Sequence, residues 1–253
     1  KFKLSSDNTI EMPWHIYEAQ HAVLVGEAHN PEPAYTLLRD LGLYPLLTSN
    51  NLPIVAVGIV EYEDSAAGAY NEMYVSFVAT QSPPMDVAFI QYLAFFVNVN
   101  PFFKPFRSLF PMDGVTLVVW KMYVTTELSL LGGREIWGYP KELADIKITH
   151  SLGKKKVIES GILTMDGTKL MEVSQKSSWP FYSEYLPVYL DGRSATSRTV
   201  FHSIGESKGQ VLTRMKLFNP SKDTFYVNES TPVGKQISSL QISPWLWFDM
   251  PLF

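Results

Sequence analysis

The chain has 253 residues, 46% hydrophobic and 18% charged, with a formal net charge of −4 and no cysteine. That is the make-up of a globular protein long enough to bury a sizeable core, and it excludes disulfides, thiolate nucleophiles and zinc–thiolate sites. An acidic balance argues against nucleic acid as a partner, because neutralising phosphates takes a concentrated basic surface. Apolar runs such as 115–120 are far too short for a bilayer, so no membrane span is expected and a cytoplasmic location is the default.

Residues 1–15 are mostly polar and read as an arm ahead of a single domain over 16–253. Residues 21–26 predict a strand. Pro31 and Pro33 interrupt, and the run 34–41 has helical spacing that stops at Gly42. Residues 54–62 predict a second strand, apolar enough to be buried on both faces. Glu61, Glu63 and Asp64 cluster at its end, not far from Glu72. Hard cations favour several carboxylates, but neither a calcium-loop spacing nor a histidine partner is present. The cluster reads as a solvated loop with one carboxylate lining a site, and no metal is expected. His15, His21, His29, His150 and His202 lack ligand spacing and read as surface or satisfied polar groups. Residues 73–79 alternate and predict a strand opened by Glu72.

Ser82-Pro83-Pro84 marks a loop, and the aromatic-rich stretches 85–98 and 101–106 fit a pocket wall, a subunit contact or plain core. Residues 115–124 form a strong β run. Beyond residue 145 the alternation predicts a hairpin over 146–152 and 156–159, turning at Gly153-Lys154, with Lys154-Lys155-Lys156 as a solvated tip. A second hairpin, 161–165 with 170–173, turns at Asp166-Gly167. Strands follow at 210–217 and 224–227, then an aromatic tail at 245–248. Many short strands and few helices imply a mainly β, largely antiparallel architecture.

The stretch with most chemical content is Gly132-Gly133-Arg134-Glu135-Ile136-Trp137-Gly138-Tyr139-Pro140-Lys141-Glu142. Its glycines permit tight bends, and Tyr139-Pro140 reads as a helix entry, placing Lys141 in a first turn. There the helix dipole, and water exclusion by Trp137, Tyr139 and Leu143, would both disfavour an ammonium. An unperturbed lysine, with a pKa of about 10.4, is neutral in only about one molecule in 2,500 at pH 7. A lysine that attacks a carbonyl needs most of that handicap removed. The plainer reading of Lys141 is a turn lysine whose stem lies along Trp137 with its head in water.

The run from Gly133-Arg134-Glu135 to Tyr139-Pro140-Lys141 resembles the Gly-Arg-Glu…Tyr-Pro-Lys signature of the acetoacetate decarboxylase family. That enzyme's lysine forms a Schiff base with a ketone, and it is the standard example of a lysine activated by its surroundings. Asp64-Ser65 with Gly68-Ala69-Tyr70-Asn71-Glu72 is similar to the family's Asp…Ser…Gly…Tyr-x-Glu segment, and the likeness extends from about Ile16 onward. The resemblance implies a β-barrel or cone enclosing a cavity, with a few peripheral helices. It implies Lys141 as nucleophile, Glu72 as the proton-moving carboxylate, and Tyr70, Arg134, Glu135, Trp137 and Tyr139 as substrate-lining residues. No cofactor is implied; a small-molecule carbonyl substrate and a homo-oligomer are. The residues alone leave another role open for Arg134 and Glu135, which is to pair with each other and brace the loop.

Departures from the pattern point to a changed substrate. Glu142 stands where the family decarboxylase has a second lysine, Gly58 falls near the place of another glutamate, and residues 18–21 hold no arginine. The expectation is a lyase acting on a bulky apolar biosynthetic intermediate by decarboxylation, aldol or retro-aldol cleavage, or dehydration. The alternatives are a non-covalent cyclase or isomerase using the same cavity, and a barrel that binds a small molecule without chemistry.

Overall fold

The computed structural model describes residues 1–12, 14–81, 115–151, 157–176, 182–186, 189–195, 200–206 and 211–252. The stretches 85–98 and 101–106, the Ser82-Pro83-Pro84 loop and the Gly153-Lys154 turn lie outside them.

The chain opens with β1 (Phe2–Lys3) and β2 (Thr9–Ile10), then β3 (Ile16–Ala28), α1 (Glu32–Asp40), β4 (Tyr44–Pro45), β5 (Ile54–Ser65) and β6 (Tyr70–Thr80). Next come β7 (Val115–Val124), α2 (Glu127–Trp137), β8 (Lys141–Leu143), β9 (Asp145–His150), β10 (Ile158–Met165) and β11 (Thr168–Ser174). The last part carries β12 (Tyr182–Leu186), β13 (Tyr189–Ala195), β14 (Val200–Glu206), β15 (Val211–Leu217), β16 (Thr224–Val227), α3 (Pro232–Ser238) and β17 (Ile242–Leu252). The class is mainly β, as the alternation predicts. Among the described residues no helix is long and apolar enough to cross a membrane.

Local chemistry explains several boundaries. α1 has proline in its first turn, Glu32 at its positive end and Arg39 at its negative end, a charge placement that suits the helix dipole. Gly42, at φ +66°, follows it as the stop. Asp166 and Gly167 both take positive φ, the backbone of the tight turn expected of an Asp-Gly pair between strands. The two predicted hairpins share β10, which pairs with β9 on one side and β11 on the other.

The large sheet runs in the order β12-β15-β17-β3-β5-β6-β7-β13-β14, with β4 on β6 and β8 on β7. Among the described residues its end strands β12 and β14 do not pair with each other, so these ladders do not close the expected barrel or cone. A second sheet, β16-β11-β10-β9, covers one face. Leu24, Val57, Ile59, Met73, Val75 and Phe77 of the large sheet meet Ile158, Leu163, Leu170 and Val173 there in the main core, together with Leu38 of α1 and Ile237 of α3. Because side chains alternate along a strand, the neighbouring residues of β3, β5, β6 and β7 point to the opposite face. That face carries Val23, Val25, Ala56 and Val78 at one end and Val60, Tyr74, Val119 and Met122 nearer the middle. The candidate site lies on it.

Candidate active site

Lys141 opens a strand, which corrects the placement in a helix's first turn. The helix comes before it. The Thr126 side chain accepts a hydrogen bond from the Ser129 N–H and starts α2, which continues through Gly132 and Gly133 rather than bending at them. Gly138, at φ +67°, ends it; its N–H returns to the Arg134 carbonyl at 3.1 Å, and the Tyr139 N–H to the Gly133 carbonyl at 3.0 Å. This is a left-handed helix stop, favoured at glycine. Pro140 cannot donate to a further turn, and the chain leaves extended, pairing in parallel with β7 so that Lys141 lies opposite Met122. The dipole of a following helix therefore plays no part in setting the state of Lys141.

The side chain runs back along α2 and over Gly133. Its Nζ stands 2.8 Å from Oε2 of Glu72 and 3.2 Å from Oγ of Ser129. Lys141 is 3% exposed, Glu72 4% and Ser129 0%, so the pair is held almost out of solvent. β6 places Tyr70, Glu72 and Tyr74 on one face by alternation, and the lysine nitrogen sits 5.5 Å from the centre of the Tyr70 ring. Tyr70 stacks on Tyr62 at 4.3 Å, and its hydroxyl is hydrogen-bonded to Ser129 and Tyr62. A run of hydroxyls thus leads away from the amine: Ser129, Tyr70, Tyr62. Burial first, and then the Glu72 carboxylate, pushes all three hydroxyls of Tyr62, Tyr70 and Tyr74 well above the usual tyrosine range. They stay protonated at neutral pH and can serve as donors.

Farther along the same face, the hydroxyl of Tyr74 lies 2.7 Å from Nε2 of His21. Burial lowers the His21 pKa from 6.5 to about 4, so the imidazole is uncharged at neutral pH. The tyrosine ring rests over Gly58, its cross-strand partner on β5.

The other expected site residues are placed as follows. Nε of Arg134 donates to the carbonyl oxygen of Lys141 at 2.7 Å, which fixes the start of β8. The Glu135 carboxylate accepts the backbone N–H of Ser5 at 3.0 Å and also the Ser5 hydroxyl. The bonds formed by these two residues brace the backbone and the β1–β2 hairpin, in keeping with the bracing role that the residues alone leave open. Trp137 packs edge-on against Trp14 at 4.6 Å and lies 6.5 Å from Tyr139, and Tyr139 packs against the cluster holding Tyr74 and Met122. Glu142 sits opposite Tyr123, one residue on along the strand from Lys141, and contributes to raising the Tyr123 hydroxyl, after burial. Strand alternation turns it to the other face. The acidic cluster is dispersed: Glu61 lies 2.8 Å from Nε2 of His150, Glu63 accepts from Gln20 at 3.1 Å, and Glu72 holds Lys141.

Sequence reading missed Ser129, Tyr62, Tyr74 and His21. Tyr74 could have been found by counting two residues on from Glu72 along an alternating strand. Tyr62 needed the β5–β6 register, which pairs it with Tyr70, and Ser129 needed the helix.

The family model described as acetoacetate decarboxylase (ADC) matches residues 43–178. No curated protein matches the sequence. Among solved structures, acetoacetate decarboxylase from Legionella pneumophila subsp. pneumophila str. Philadelphia 1 is 16% identical over 97% of this chain and 87% of that one, with a TM-score of 0.55. The enduracididine biosynthesis enzyme MppR complexed with pyruvate is 13% identical over 98% and 91%, with a TM-score of 0.56. The same enzyme complexed with the condensation product of pyruvate and imidazole 4-carboxaldehyde is 12% identical over 97% and 89%, with a TM-score of 0.53. At these identities the structural likeness is one of fold. The family match, in contrast, spans more than half of the sequence and takes in both Glu72 and Lys141; the chain belongs to the acetoacetate decarboxylase family.

Proposed function

We propose that this chain is an acetoacetate decarboxylase-like lyase that holds its carbonyl substrate as a Schiff base on Lys141, with Glu72 moving the proton. The observation that carries the reading is the 2.8 Å contact between two side chains almost wholly removed from water. Burial penalises both charges. One proton crossing that gap turns the ion pair into an amine and a carboxylic acid, with no change in net charge. The amine attacks the carbonyl carbon, and the Glu72 acid protonates the oxygen as the C–N bond forms. The carbinolamine then loses water. Overall, ammonium and carbonyl give iminium and water, and the Glu72 carboxylate is regenerated.

The iminium is an electron sink for a bond breaking at the adjacent carbon. Decarboxylation, aldol or retro-aldol cleavage and dehydration share this intermediate. Val60, Val119 and Met122 give the face around the pair an apolar character, which favours a bulky apolar substrate. A structural relative complexed with pyruvate, and with a condensation product of pyruvate, supports carbonyl chemistry in this fold. Incubation with simple ketones and borohydride, followed by intact and peptide mass, tests the proposal. A reduced adduct at Lys141, absent from Lys141→Ala, is expected. No adduct with any ketone or aldehyde would overturn it.

The same contact favours one second reading. A persistent Lys141–Glu72 ion pair could polarise a substrate oxygen without bonding to carbon, as in a non-covalent cyclase or isomerase. Turnover without a trappable adduct would select it.

A further inference from the structure

We propose that Tyr74, laid across Gly58 and held by His21, selects the substrate by taking a neutral hydroxyl group beside the reacting carbonyl in preference to a carboxylate. This rests on the Lys141 reading above. Tyr74 is the next residue after Glu72 on the site face of β6, and it packs with Val60, Val119 and Met122, with Tyr139 alongside. Met122 is the residue opposite Lys141. Tyr74 therefore flanks the reacting pair.

Its orientation depends on a missing side chain. A Cβ on Gly58 would fall 2.1 Å from two carbons of the Tyr74 ring and 2.6 Å from its hydroxyl oxygen. With glycine there, the ring lies across β5 and its hydroxyl reaches His21 on β3 at 2.7 Å. A hydrogen bond in this setting fixes the hydroxyl at one point on the face.

The pair is neutral. Burial keeps the imidazole uncharged at neutral pH and the phenol protonated. A substrate carboxylate placed here would meet no positive charge from this pair and would lie beside the Glu72 carboxylate. Stripping such an anion of water without a countercharge is costly. A hydroxyl group fits in either tautomer of His21. When the imidazole Nε2–H donates to the phenol oxygen, the phenol O–H donates to the substrate; when the phenol donates to Nε2, its oxygen accepts the substrate's O–H. An uncharged α-hydroxy carbonyl compound is the chemical class this arrangement takes.

The test compares hydroxyacetone, acetone and pyruvate as probes, reading the concentration that half-saturates borohydride trapping at Lys141. Wild-type protein should take hydroxyacetone at about tenfold lower concentration than pyruvate, the worth of one hydrogen bond. Tyr74→Phe, which keeps the ring, should raise the value for hydroxyacetone about tenfold and leave acetone unchanged. Gly58→Ala, which drives a methyl group into the ring, should do the same and serves if Tyr74→Phe does not fold. Pyruvate as the better probe, or an equal effect of Tyr74→Phe on all three ketones, would overturn the inference. If no ketone is trapped, the Schiff-base reading fails by itself, and ligand-observed NMR decides this one. Hydroxyacetone binding weakened by Tyr74→Phe supports it, and binding left unchanged overturns it.

Discussion

Gly133 of α2 and Lys141 of β8 approach so closely that a Cβ on the glycine would stand 2.3 Å from Cδ and 2.4 Å from Cε of the lysine. The stem cannot simply swing aside, because its head is held by Glu72 and Ser129. Gly133→Ala should therefore move Nζ off its partners. Overpacking costs about 1–3 kcal/mol, while alanine in a helix returns up to about 1 kcal/mol, so the net loss of stability should be small. Trapping of a ketone at Lys141 should fall at least about tenfold. Urea unfolding and intact mass on the same samples measure the two effects, and a variant that traps as well as wild type would show that the lysine's path over α2 is incidental.

The Lys141–Glu72 contact makes a distinct thermodynamic prediction. Removing one member of a buried ion pair leaves an uncompensated charge and costs about 3–5 kcal/mol, whereas replacing both is often close to neutral. Lys141→Met and Glu72→Gln should each be strongly destabilising, and the double variant should be more stable than either. Denaturant unfolding of the four proteins closes the cycle. Single losses below about 1 kcal/mol that simply add would mean the pair is solvated.

How much of this was legible beforehand depended on the physics behind each element. The alternating and β-branched runs at 54–62, 73–79 and 115–124 marked β5, β6 and β7, because a sheet imposes its period directly on the sequence. Lys141 and Glu72 were marked only by the family signature. What surrounds them was hidden by two effects. Glycines at 132 and 133 suggest bends, but they serve close approach inside a helix, Gly132 to the Trp14 ring and Gly133 to Lys141. The second effect is register: the parallel β7–β8 pairing and the β3–β5–β6 ladder bring Met122, His21 and Gly58 to the site, and no local pattern encodes which strands become neighbours. α3 was a missed signal of the ordinary kind, since Thr231-Pro232 has the residue types of a helix cap and first position. The Thr231 side chain accepts the Gly234 N–H there at 2.9 Å.

Ser129 joins the amine to the tyrosines, with its hydroxyl 3.2 Å from Nζ and also bonded to Tyr70. Ser129→Ala should cost about 1 kcal/mol of stability. Its larger effect should be kinetic. If the hydroxyl run feeds protons to the leaving water, the rate of adduct formation should fall about tenfold with little change in the half-saturating ketone concentration. Ser129→Thr, which keeps the hydroxyl, should recover part of the rate. A rise in the half-saturating concentration at unchanged rate would instead assign Ser129 to substrate binding.

His21 predicts how stability should respond to acid. In the unfolded chain it takes up its proton near pH 6.5, and in the folded protein burial delays this to about 4. Between those values the unfolded state holds more protons, so stability is complete above about pH 6.5 and declines as the pH falls toward 4. Two and a half pH units correspond to about 3 kcal/mol from this one residue. His21→Gln can keep a hydrogen bond to Tyr74 and does not titrate, so its stability should fall less over the same interval. Carboxylates that also lose stability in acid act on both proteins and cancel in the difference. Urea unfolding of the two proteins at pH 7 and pH 4.5 reads it, and parallel losses would mean that the imidazole is not kept from its proton by the fold.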